Sequence, residues 1–158
     1  VSGEFDGAVK VFIAGGGPGY REVLEYSANK SWVEIYGPYD YEREIVSLYE
    51  RIDCVYSAYD TQLDNVRIAL PNRLYEAIVC EKPIIASKNT VLGEFVNKNN
   101  IGATVKDDVK DELNTLISRW SSDACLVKEY SQNCRVIRDN YYYENNSKEL
   151  LALYQRLI

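Results

Sequence analysis

The sequence predicts a parallel α/β domain of five short strands, each followed by a helix, with a helical C-terminal tail. Short β-branched apolar runs alternate along the chain with longer stretches whose apolar residues recur at helical spacing. The run Ile84-Ile85-Ala86 is apolar at every position, as a parallel strand covered by helices on both faces must be. A length of 158 residues with 46% hydrophobic residues fits one compact domain that buries its own core.

Val9 to Ala14 reads as the first strand, because Val-Lys-Val-Phe-Ile-Ala is β-branched and apolar and stops at Gly15-Gly16-Gly17-Pro18-Gly19. Tyr20 to Ala28 follows as a helix. Trp32 to Tyr36 is the second strand, closed by Gly37-Pro38, and Tyr41 to Ile52 places Ile45, Leu48, Tyr49 and Ile52 on one helical face. Asp53 to Ser57 is the third strand. The pattern lapses from Ala58 to Leu70, and Pro71 opens the next helix, where its missing N–H costs nothing. Lys82 to Ser87 is the fourth strand, Thr90 to Asn97 a short helix and Ile101 to Val105 the fifth strand. Helices over Lys110 to Trp120, Asp123 to Asp139 and Glu144 to Ile158 form the tail. This succession is a Rossmann-like sheet flanked by helices, and in such sheets ligands sit beyond the carboxyl ends of the strands.

Composition excludes several kinds of chemistry. The chain carries 18 Lys and Arg against 24 Asp and Glu, a net charge of -6, with no basic block. Nucleic-acid binding is therefore not expected, since phosphate neutralisation needs clustered cations. The absence of His removes imidazole-based triads and the usual zinc sites of enzymes. Cys54, Cys80, Cys125 and Cys134 lie far apart without a Cys-x-x-Cys and read as buried free thiols of a reducing, cytoplasmic protein. The first residues are polar and acidic, unlike a signal peptide. A chain that begins at Val1 and contains no Met reads as a piece of a longer protein.

Two stretches can carry chemistry. Gly15 to Gly19, at a strand-to-helix junction, lets backbone approach a ligand closely, with Gly16 and Gly17 as the contact positions; a plain tight turn is the other reading. It lacks the third glycine of a dinucleotide fingerprint, because Tyr20 stands there, and the Gly-Lys-Ser/Thr of a Walker loop. In Pro71-Asn72-Arg73-Leu74-Tyr75-Glu76, Arg73 and Glu76 share one helix face near its N-terminus. Backbone N–H groups and a guanidinium can hold a diphosphate there, and a carboxylate can accept both hydroxyls of a ribose. A surface ion pair is the alternative.

These segments in order, Val11 to Pro18, Val33 to Gly37, Leu48 to Tyr56, Pro71 to Ala77 with Lys82 to Ser87, and Asn100-Ile101-Gly102, resemble the C-terminal half of a family 4 glycosyltransferase of the GT-B fold. The resemblance implies a domain that binds the nucleotide diphosphate of a sugar donor, while an N-terminal half, absent from this chain, binds a glycan or lipid-linked acceptor. It implies transfer without metal or other cofactor, usually with retention of the anomeric configuration. Carried onto this sequence, it assigns Glu76 to the ribose as the second glutamate of an E-x7-E motif, the amides of Asn72, Arg73 and Leu74 to the phosphates, and Gly37, Pro38 and Tyr39 to the base. It names no catalytic residue in this half. The chain departs from the pattern at Ile68, where the first glutamate usually stands, and at Glu81, where glycine usually precedes Lys-Pro. The family's phosphate-binding Arg and Lys have no counterpart ahead of Val9. The full-length protein is expected to elongate a surface polysaccharide or similar glycan in the cytoplasm, at the inner face of the membrane.

Alternatives from other classes are an NAD-type oxidoreductase domain, a receiver-like interaction module and a nucleotide-sugar epimerase of the same architecture. The incomplete glycine fingerprint, the absence of an acidic cluster after the first strand and the absence of His weigh against them in turn. In the tail, Leu150, Leu151, Leu153, Tyr154, Leu157 and Ile158 make an apolar face that reads as packing onto the sheet, with contact to a further domain as the alternative.

Overall fold

The computed structural model describes residues 9–106 and 109–156. Five strands, β1 (Val11–Ala14), β2 (Val33–Gly37), β3 (Val55–Ser57), β4 (Ile84–Ser87) and β5 (Gly102–Val105), alternate with helices. The helices are α1 (Tyr20–Ser27), α2 (Tyr41–Glu50), α3 (Asp64–Ile68), α4 (Asn72–Val79), α5 (Val91–Asn99), α6 (Lys110–Ser122), α7 (Ala124–Ile137) and α8 (Tyr143–Gln155), with a 3-10 turn at Arg138–Tyr141. Every strand pairing is parallel. The α/β class and the tail are as the sequence predicts, with one addition. The five-residue α3 lies in the stretch that shows no period, too short to display one.

Hydrogen bonding divides the strands into two sets, β1-β2 and β3-β4-β5, where the sequence suggests one sheet. Val55 N–H donates to Pro83 O at 2.8 Å toward β4, so the Tyr56 carbonyl faces the other edge. There it accepts from Nη1 of Arg73 at 3.3 Å.

The core lies on both faces of β4. Ile84 and Ala86, both 0% exposed, face a cluster with Tyr49, Val55, Leu74, Ile78, Val96 and Cys134. Ile85 faces the opposite way, onto Val105, Ala58 and Trp120, with Leu113, Leu116 and Tyr130 packed beside them. Successive residues of a strand point to opposite faces, so one apolar run serves two layers.

Capping sets the helix ends on both sides of the strands. Asp40 accepts from Arg43 N–H at 3.3 Å to start α2, while Glu44 Oε2 accepts from Asp40 N–H at 2.6 Å. Thr90 accepts from Gly93 N–H at 2.9 Å to start α5. Helix α4 ends in a Schellman motif, with Lys82 N–H on Ala77 O at 2.8 Å and Glu81 N–H on Ile78 O at 3.1 Å. Its left-handed position is Glu81 at φ 56°, which explains why glycine is usual there. The Glu81 carboxylate is held by Arg138 and faces Arg135 at 3.6 Å.

The thiols differ from the expectation of four buried groups. All four are free, Cys134 is buried and Cys54 and Cys80 partly so, but Cys125 is exposed on the first turn of α7. The tail also differs. Tyr141 packs on the core through Tyr75 and Phe95, whereas Leu151, Leu153 and Tyr154 are 59%, 56% and 59% exposed and do not pack onto the sheet. The Leu150 side chain, Leu157 and Ile158 lie outside the described residues.

Candidate functional site

Parallel strands bring their carboxyl ends to one side, so the turns after β1, β2, β3 and β4 gather there. The turn after β1 meets the turn after β2. Gly15 N–H donates to Gly37 O at 2.8 Å, and a Cβ on Gly16 would stand 2.9 Å from Pro38 Cγ. The β1-β2 register slips between Ile13 and Ala14, so that Ala14 pairs with Gly37. Gly37, at φ 88°, turns the chain over the hydroxyl of Tyr20, 2.9 Å from where its Cβ would be. Gly16, Gly17, Gly37, Pro38 and Tyr39 therefore form one continuous rim. Nothing lies within 4 Å of a Cβ on Gly17, so its backbone presents an open surface.

The rim continues into α2, whose two tyrosines reach α4. Tyr41 donates to Glu76 Oε1 at 2.7 Å and Tyr49 to Glu76 Oε2 at 2.8 Å. These residues are two helical turns apart, and both converge on one carboxylate. The hydrogen bond to Glu76 is the main cause that pushes the Tyr41 hydroxyl up to about 12. For Tyr49, burial is the larger cause and the Glu76 bond the second, and its hydroxyl is raised further above the ordinary tyrosine range. Both phenols are therefore neutral donors near pH 7.

At the start of α4, Asn72 and Arg73 are exposed, and their amides occupy the first turn, where N–H groups have no acceptor within the helix. Leu74 sits differently. Its side chain is fully buried, and its amide donates to Pro71 O at 2.9 Å. Nη1 of Arg73 is held by Tyr59 Oη at 2.9 Å as well as by the Tyr56 carbonyl, which draws the guanidinium toward the end of β3. Beyond β3 and β4 lies a cavity of about 260 Å³ lined by Ser57, Tyr59, Asn65, Pro71, Ser87 and Thr90. The Ser57 hydroxyl is buried there without a hydrogen-bond partner among the described residues. Ile68, at the position of the usual first glutamate, is 73% exposed. Among the described residues, no group of three His, Cys, Asp or Glu side chains could hold a metal ion.

The structure thus joins Gly16, Gly17, Gly37, Pro38, Tyr39 and Glu76 through Tyr41, and places Asn72 and Arg73 on the first turn of Glu76's own helix. Tyr41, Tyr49, Tyr59 and Ser57 are the members that sequence reasoning does not single out. Tyr49 reads from its spacing as an apolar-face residue, and the contacts of Tyr41 and Tyr49 with Glu76 span 35 and 27 residues, beyond any local pattern.

No match was found among curated protein sequences. Among solved structures, the chain is similar to WaaG, a glycosyltransferase involved in lipopolysaccharide biosynthesis, at 17% identity and a TM-score of 0.65, covering 84% of this chain and 36% of that one. It is similar to the sucrose-phosphate synthase of Thermosynechococcus elongatus at 18% identity and a TM-score of 0.69, covering 94% and 38%. It is also similar to HepE of Anabaena, solved with UDP and with UDP-glucose, at 17% identity and a TM-score of 0.71, covering 99% and 46%. The chain thus spans less than half the length of each. At these identities the likeness establishes the fold. The family model described as glycosyl transferases group 1 matches residues 5–136, which include all five strands and every residue of the rim and of α4; the chain belongs to that family.

Proposed function

We propose that this chain is the donor-binding half of a family 4 type glycosyltransferase that moves a sugar from a nucleotide-diphosphate sugar to a glycan or lipid-linked acceptor. The observation that carries the reading is the convergence on one face of a glycine-rich turn, a second turn seated against it, and a carboxylate on a helix whose N-terminus lies on the same side. The base fits against Gly37, Pro38 and Tyr39, the ribose on Glu76, and the diphosphate between Gly16, Gly17 and the first turn of α4. HepE, whose fold is similar, was solved with UDP and UDP-glucose, and the group 1 family match supports the same reading.

The chemistry proposed for this half is stabilisation of the leaving diphosphate. Charge develops on the phosphate oxygens as the glycosidic bond breaks, and the Arg73 guanidinium with the N–H groups of Asn72 and of the glycine turn supply preorganised donors. The Leu74 amide is already bonded to Pro71 and contributes by holding the turn. The acceptor is aligned by a further domain, and the whole protein works in the cytoplasm at the inner face of the membrane, retaining the anomeric configuration. A dinucleotide-dependent oxidoreductase draws no support from the family match.

Replacing Glu76 by Ala tests the site. Loss of a charged acceptor weakens UDP binding by about 1.5 to 3 kcal/mol. Unchanged affinity in a folded variant removes Glu76 from the ribose site.

A further inference from the structure

Both oxygens of Glu76 carry a phenol hydroxyl, yet the two phenols sit in opposite settings. Tyr49 is 7% exposed and belongs to the core cluster with Val55, Leu74 and Ala77, so its ring cannot swing away without opening the packing between α2 and α4. Tyr41 is the first residue of α2 and is 52% exposed. Its side chain can turn into solvent at the cost of one exposed hydrogen bond. Its hydroxyl stands 2.7 Å from Oε1, which is where the hydroxyl of a ribose would stand to donate to the same oxygen.

A carboxylate accepts at several lone pairs, so Oε2 can keep the buried Tyr49 while receiving a second donor, whereas the donor on Oε1 is the exposed Tyr41. We propose that Tyr49 is a positioning residue that fixes the Glu76 carboxylate, and that Tyr41 is a displaceable stand-in for a ribose hydroxyl, exchanged for the sugar when a nucleotide binds. This inference rests on Glu76 being the ribose acceptor. Two consequences follow from the exchange. Selectivity for a ribonucleotide is set against an internal competitor, because a nucleotide without ribose hydroxyls gains nothing by expelling Tyr41. Removing that competitor raises the fraction of the protein ready to bind, and apparent affinity rises with it.

The test is calorimetric titration of the full chain with UDP and with 2′,3′-dideoxy-UDP, in wild type, Tyr41→Phe, Tyr49→Phe and Glu76→Ala. Tyr41→Phe is expected to bind UDP about 2- to 10-fold more tightly, and Tyr49→Phe about 2- to 10-fold more weakly, the range of one net hydrogen bond. Neither variant should change the affinity for the dideoxy nucleotide by more than about twofold. A structural role of Tyr49 alone would weaken both ligands equally, which overturns the positioning claim. If Glu76→Ala abolishes the preference for UDP over its dideoxy analogue while the phenylalanine variants match wild type for both, the ribose reading stands and the exchange falls. If Glu76→Ala keeps that preference, or if wild type binds no UDP, the ribose reading falls and the exchange with it. Tyr41 is exposed, so its variant keeps the test valid even where Tyr49→Phe loosens the fold.

Discussion

A Cβ on Gly16 would stand 2.9 Å from Pro38 Cγ, so the turn after β1 rests directly on the turn after β2. That contact fixes the distance between the segment proposed for the phosphates and the one proposed for the base. Gly16→Ala must push the two turns apart, while Gly37→Ala must also adopt φ 88° against the Tyr20 hydroxyl. The second is expected to cost about 1 to 3 kcal/mol of stability, and the first less. Both should weaken UDP binding, read by denaturant titration alongside calorimetry. A Gly37→Ala variant as stable as wild type contradicts this account of the turn.

Arg73 contacts the Tyr56 carbonyl and the Tyr59 hydroxyl on an exposed surface. Its truncation should therefore disturb stability little. Arg73→Ala is expected to weaken UDP binding by about 1.5 to 3 kcal/mol, with uridine binding unchanged. Equal losses for UDP and uridine would show that the guanidinium does not act on the phosphates.

Glu81 holds the left-handed end of α4 and pairs with Arg138 and Arg135. Two effects oppose each other on substitution. Glycine relieves a backbone cost of about 1 kcal/mol, and loss of partly exposed ion pairs costs about 0.5 to 1 kcal/mol. Glu81→Gly is thus expected to be near neutral, and Glu81→Ala, which loses the pairs and keeps the strain, to be less stable than the glycine variant. Urea midpoints decide it, and an alanine variant at least as stable as the glycine variant contradicts the account.

Burial pushes the Cys134 thiol up to about 12, with the nearby Glu81 charge adding to it. Burial, with the Asp53 charge, pushes Cys54 up to about 11. As pH rises, the unfolded chain loses these protons first, so the folded state binds more protons and stability falls. The decline should begin near the ordinary thiol range, at about pH 9, and continue to about 12, with Tyr41 and Tyr49 adding to it at the upper end. Unfolding by urea at pH 8 and pH 10 reads the effect, and a midpoint that rises or holds contradicts it. At pH 8 a thiol reagent should label exposed Cys125 ahead of Cys134.

Much of the fold is legible because its signals are local. Ile84-Ile85-Ala86 announces a two-sided buried strand, and Gly15 to Gly19 announces a turn. Asn100 also has a local cause, standing left-handed at φ 49° at the end of α5, whereas Gly102 is required by a neighbouring strand, a Cβ there falling 1.9 Å from Ile84 O. The division into two strand sets is not legible, because strand pairing is decided between segments far apart in the chain and leaves no local pattern. The site divides along the same line. Gly16, Gly37 and Glu76 stand out by residue type, whereas Tyr41 and Tyr49 acquire meaning only when α2 is laid beside α4.

The central claim is that the carboxyl-end face of these strands holds a nucleoside diphosphate. Calorimetric titration of the protein with UDP and, separately, with NAD tests it most directly. Saturable UDP binding that is weakened by about 1.5 to 3 kcal/mol in Glu76→Ala, with no binding of NAD, is the predicted result. Binding of NAD without UDP would contradict the account.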